Sequence, residues 1–243
     1  MARKSASIAS PPAVTAGQSK RVWFVLILFP FAAELVWRVV FVLWRLTGVP
    51  LVDVGEPATG LRMWSVVLVE MVGAAWVLWW WHNQGRSLSD LGLSTEWFGR
   101  ELLLGLATGF LLWVAWMIPW WILNVLGLRL LPAARVIDHV PSWMAALALM
   151  AFGEEVIWRG FAISEFHRCY RLSASLLMAV SVYTLFYVDR AIYDGWPLIP
   201  WAVYVGGGLS VLYLWRRSLI APMVAHFVIG CLSGLLAGIH ERG

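Results

Sequence analysis

The sequence predicts an all-α, polytopic transmembrane helical bundle of about seven membrane spans. Three observations predict it. The 243-residue chain is 61% hydrophobic with a mean hydropathy of +0.76, and only 13% of it is charged. Its apolar residues gather into seven runs, each near the roughly 20 residues that cross a bilayer as a helix. A soluble globular domain has about 45–50% apolar and about 25% charged residues, so an ordinary cytosolic enzyme is excluded. Disorder over most of the chain is excluded as well, because it requires low hydrophobicity.

Residues 1–20 are polar and rich in Ser, Ala, Pro and Gly, and the only charges through residue 21 are Arg3, Lys4, Lys20 and Arg21. The apolar run that starts at residue 22 is too long for a signal-peptide core. Residues 1–21 therefore read as a disordered cytoplasmic tail, 22–81 as N-terminal transmembrane helices, 82–236 as a transmembrane core and 237–243 as a short C-terminal tail. The seven spans are expected near 22–44, 63–81, 102–127, 142–163, 172–189, 197–215 and 218–236. Pro119 interrupts the third, which is long enough to tolerate a kink. Gly206, Gly207 and Gly208 interrupt the sixth, for close helix packing or for local unwinding beside a cavity. In the connection 82–101, Leu88, Leu91, Leu93 and Trp97 alternate with polar residues, as in a segment lying on the membrane surface.

Charge sets the orientation. The formal net charge is +4, from 18 Lys plus Arg against 14 Asp plus Glu. With the N-terminus inside, ten basic residues fall on the inner side and six on the outer side, while Arg38 and Arg159 lie within spans. The positive-inside rule then favours a cytoplasmic N-terminus. No basic patch is interleaved with aromatics, so nucleic acid is not an expected partner. Cys169 and Cys231 have no metal-ligand spacing. The 18 Trp residues serve either as bulky packing against lipid and helices or as a surface for a protein or pigment partner.

An ionisable side chain at membrane depth costs roughly 2.5–3.5 kcal/mol even on a lenient scale, so each one is a functional candidate that needs a partner. The fourth span carries Glu154, Glu155 and Arg159. On a helix Glu155 and Arg159 share a face and can pair, whereas Glu154 is turned by about 100°. Glu154 is then left to face a polar cavity, where poor hydration suits it to general acid–base work. An interhelical polar lock without chemistry is the other reading. Asp189 closes the fifth span and His226 lies within the seventh, where it can exchange a proton, hydrogen-bond or ligate a metal. Glu154, Asp189 and His226 have no metal-binding spacing such as HExxH, so no metal and no cofactor is expected. Glu34 and Arg38 are four apart in the first span, and Glu70 stands in the second. These three either stitch the bundle together or gate a substrate.

The cluster Glu154, Glu155, Arg159, followed by Gly160 and Phe161, resembles the first signature of the CPBP family of intramembrane proteases. That family is also called the CAAX-protease and bacteriocin-processing, or Abi, family. The resemblance runs from about residue 88 to 236. It implies that the first glutamate and a middle-motif histidine activate water, while a later histidine and an asparagine hold the oxyanion. On this chain Glu154 would be the base, with Glu155 and Arg159 its structural support, and His226 matches the later histidine. The middle motif, Phe-x-x-x-His, aligns best with Leu185 and Asp189, so its histidine is absent. Gly230 stands where the asparagine would be.

The resemblance implies a glutamate-dependent intramembrane endopeptidase with a variant site: Glu154 as base, Asp189 positioning water and His226 stabilising the oxyanion. Its substrate would be a membrane-associated peptide or the tail of a membrane protein. The two lost motif residues keep a second function open, a catalytically inactive scaffold, assembly factor or subunit of a larger membrane complex. The expected location is the prokaryotic plasma (inner) membrane.

Overall fold

The structure is a computed structural model that describes residues 56–94, 96–126, 140–194 and 198–239, with scattered helical positions between Leu26 and Leu46. All regular structure among these residues is helical. In order come α1 (Glu56–Asn83), α2 (Phe98–Val125), α3 (Val140–Glu154), a π-helical segment (Glu155–Ile163), α4 (Ser164–Cys169), α5 (Leu172–Asp194), α6 (Leu198–Arg216) and α7 (Ile220–Ile239). α3, the π segment and α4 form one continuous rod, and Pro119 is accommodated inside α2 without breaking it.

The expectation of about seven spans is corrected. Among the described residues four helices are long and apolar enough to cross a membrane: Met63–Asn83, Phe98–Leu123, Val140–Cys169 and Leu198–Arg216. The expected fifth and seventh spans are shorter apolar helices, Leu172–Val188 and Ile220–Gly234. Those apolar stretches lie within the longer helices α5 and α7 and are each under the roughly 20 apolar residues of a crossing. Most of the first expected span, including Glu34 and Arg38, lies outside the described residues, as do 1–21 and 240–243. The class itself stands: this is an all-α integral membrane bundle.

Small residues set the closest helix contacts. A Cβ added to Gly105 would lie 2.7 Å from the Ala221 carbonyl oxygen, and one on Gly109 would lie 2.7 Å from that of Ala225. These two glycines, one turn apart, let α2 lie against the alanine face of α7, the mode of association favoured where lipid removes the hydrophobic drive between helices. Ala225 is thereby fixed, and His226 follows it. Gly206 plays the same part between α6 and α5, since a Cβ there would lie 2.7 Å from the Tyr183 ring. Of the two functions open to the triple glycine, close packing is the one observed at Gly206 and also at Gly208, which meets Leu112.

The core forms around the π segment. Val156, Ile157, Trp158, Phe161 and Ile163 are buried with Ala74, Val77 and Trp81 of α1 and with Val182, Tyr183 and Phe186 of α5. Trp76 and Trp80 stack on each other and meet Phe161 edge-on. Trp79, Trp121 and Trp215 are instead exposed on the outside of the bundle, so tryptophan both fills the interior and coats the membrane-facing surface.

The connection after α1 does not form a surface helix. It is a chain of turns in which Leu91 is buried, in contact range of Gly160 and Leu219, while Leu88 and Trp97 stay exposed. The Leu219 amide donates to the Gly92 carbonyl at 2.9 Å, and the Tyr213 hydroxyl donates to the Leu91 carbonyl at 3.3 Å. Ion pairs bind the same end of the bundle: Arg86 and Arg168 both hold Glu165, and Arg216 holds Glu101. The connections 84–97, 164–171 and 216–219 therefore lie at one end.

Candidate active site

The site grows out of the change of helix type at Glu155. A π-helix bonds residue i to i+5, so its turns are wider and each residue advances by a smaller angle than in an α-helix. Two adjacent glutamates at that junction can both address one cluster, which the 100° step of an α-helix would oppose. Glu154, Glu155 and Arg159 are all buried. Arg159 Nη1 donates to Glu155 Oε1 at 3.0 Å. Its guanidinium carbon also lies 4.4 Å from the centre of the Tyr183 ring, a cation–π arrangement that strengthens when water is excluded.

His226 bridges the two acids. Its Nδ1 lies 2.8 Å from Glu155 Oε1 and its Nε2 lies 3.9 Å from Glu154 Oε2. An ion-paired carboxylate only accepts hydrogen bonds, so Nδ1 carries the proton in the first contact. The second distance is too long for a direct hydrogen bond. His226 is 16% exposed whereas the glutamates are sealed, which makes the histidine edge the open side of the cluster.

Glu154 has a further partner. The Tyr187 hydroxyl on α5 donates to the carboxylate, 3.1 Å from Oε1 and 3.2 Å from Oε2, and the Tyr183 hydroxyl donates to Tyr187 at 3.1 Å. Sequence reasoning missed both tyrosines. The signal available was their four-residue spacing in an apolar helix, because a buried phenol needs a partner for its hydroxyl. Asp189 lies two positions beyond Tyr187 on α5, and its side chain is outside the described residues. Glu70, buried on α1, lies against the site rod: a Cβ on Gly153 would lie 3.0 Å from Glu70 Cβ.

Some polar capacity is unused. Glu155 Oε2 and Arg159 Nε and Nη2 are buried without a hydrogen-bond partner among the described residues. One turn beyond His226, Gly230 meets apolar surface, and a Cβ there would lie 3.1 Å from Leu147 Cδ2. Among the described residues no group of three or more His, Cys, Asp or Glu is disposed to hold a metal ion. Acid–base chemistry between two carboxylates and an imidazole is what the arrangement can perform.

Comparison with known proteins adds one match. The family model described as Type II CAAX prenyl endopeptidase Rce1-like matches residues 137–232, the stretch from the start of α3 to the middle of α7. No curated protein and no solved structure matches the chain.

Proposed function

From the match of residues 137–232 to the Rce1-like CAAX-protease family model, we propose that this chain is a glutamate-dependent intramembrane endopeptidase with a variant active site. Its substrate would be a membrane-associated peptide or the tail of a membrane protein. The observation that carries the reading is the pairing of a sealed carboxylate, Glu154, with a partly open histidine, His226, at 3.9 Å. Glu154 takes a proton from water as that water attacks the scissile carbonyl, and returns it to the departing amine. The water fits between Glu154 Oε2 and His226 Nε2, a gap that a bridging molecule can fill. With Nδ1–H donated to Glu155, Nε2 donates to the developing oxyanion in the imidazolium form of His226, the form in which both ring nitrogens carry protons. Asp189 keeps its proposed part in positioning water.

The test is quantitative affinity purification from native membranes, comparing wild type with Glu154→Gln and Asp189→Asn. A protein captured intact only by Glu154→Gln, and recovered shortened beside wild type, supports the peptidase. The same full-length partners in fixed ratio with every version would overturn it.

Gly230 favours a second reading. It has no side chain to donate to an oxyanion and packs against the Leu147 side chain, and the loss of one such donor costs about 2.7–4 kcal/mol of transition-state stabilisation. A catalytically inactive member of the fold, acting as scaffold or subunit through its Trp-bearing outer surface, is the function that remains if Glu154→Gln changes nothing.

A further inference from the structure

The phenols on α5 have no part in the reading above, yet they form a connected chain that ends on its central group. Gly206 on α6 leaves room for the Tyr183 ring. Tyr183 lies beneath the Arg159 guanidinium and donates to Tyr187, which donates to Glu154. The direction of this chain is fixed by proton supply. A carboxylate has no proton to give as an ion, so Tyr187 spends its single O–H on Glu154 and accepts from Tyr183 with its lone pair. The two nearly equal distances, 3.1 and 3.2 Å, centre the phenol between the carboxylate oxygens. Of the two oxygens it touches, Oε2 is the one 3.9 Å from His226 Nε2.

We propose that Tyr187, backed by Tyr183, is the positioning residue of Glu154: it sets the carboxylate orientation that presents Oε2 to the histidine edge. The proposal rests on the reading of Glu154 as the base. It also accounts for two tyrosines four apart, one turn of helix, on the face of α5 that meets the site rod. Both phenols are buried, and a hydrogen bond to a charged group in such a place exceeds one between neutral groups.

Two measurements on the full chain in lipid nanodiscs test it. The first is the infrared carboxylate band of Glu154, assigned by its loss in Glu154→Gln. The second is cleavage of a fluorescence-quenched, lipid-anchored C-terminal peptide. Tyr187→Phe is expected to shift the band and to slow cleavage about tenfold or more, while Tyr187→His, which keeps a donor, retains most of the wild-type rate. An unmoved band in Tyr187→Phe overturns the proposal whatever the cleavage does. A moved band with wild-type cleavage, where Glu154→Gln is dead, overturns the positioning role and leaves the peptidase standing. Equal cleavage, or none, by wild type and Glu154→Gln removes the peptidase reading and this role with it. Should Tyr187→Phe fail to fold, Tyr183→Phe keeps the Tyr187 hydroxyl and removes only its donor. A band shift in the same direction, with cleavage a few-fold slower, supports the proposal, and no change in either overturns it.

Discussion

At the end of the bundle Arg86 and Arg168 share Glu165 and Arg216 holds Glu101, with arginine side chains 12% to 26% exposed. In the interior the same residue types meet as Arg159 and Glu155, with side chains 1% and 0% exposed. The contacts look alike on paper, but the surroundings give them different weight. At the end only the arginines reach solvent, since Glu165 and Glu101 are 5% and 4% exposed, so water screens those pairs in part. A pair sealed in the core has lost that solvation, so removal of one partner strands the other. The end pairs therefore fasten connections that other contacts already hold. The interior pair is a condition for placing the acids beside His226.

The sharpest break in this comparison is Arg159→Met. It leaves Glu155 with only His226 and is expected to cost about 3–5 kcal/mol, read as a large drop in thermal midpoint in detergent. If the midpoint stays at the wild-type value, the interior pair is no different from those at the end. The double variant Arg159→Met with Glu155→Gln is expected to recover part of that loss, because no stranded charge remains. Gly109→Leu comes next. A side chain there meets the Ala225 backbone at 2.7 Å, and overpacking of this kind costs about 1–3 kcal/mol while displacing His226. Reduced stability together with slower cleavage of the peptide probe is the expected pair of results, and wild-type behaviour in both counts against the α2–α7 contact. Arg216→Gln is expected to cost about 1–2 kcal/mol, because it strands the buried Glu101, and Arg86→Gln about 1 kcal/mol or less, since Arg168 still serves Glu165. Raising the salt concentration should shrink these last two differences and leave that of Arg159→Met almost unchanged.

Much of the interior was legible because buried charge is rare. Glu154, Glu155, Arg159 and His226 stand out from apolar surroundings, and chain spacing alone suggests the Glu155–Arg159 pair. Tyr187 was not legible in that way. Among so many aromatic residues a phenol reads as packing until its hydroxyl is located. The π segment was hidden for a related reason. Its flanks are apolar on every side, so no polar face records the helical phase, and a widened turn leaves the composition unchanged. The expectation of about seven spans exceeds the four crossing-length apolar helices among the described residues, because an apolar run in the sequence does not by itself measure how much of its helix is apolar enough to cross. Among the described residues the apolar stretches of α5 and α7, Leu172–Val188 and Ile220–Gly234, fall below a crossing length.

The wide turns from Glu155 to Ile163 also decide where this chain tolerates a change of length. A helix bonded i to i+5 holds surplus residues in each turn, and loss of one near Phe161–Ile163 can be absorbed by tightening a single turn to i+4. The same deletion between Gly105 and Gly109 has no slack to draw on, because it rotates one glycine by about 100° away from the alanines it must touch. The rod that carries the most charge is thus the one with play in its winding, and the plain apolar helix beside it is the one whose residue count is fixed.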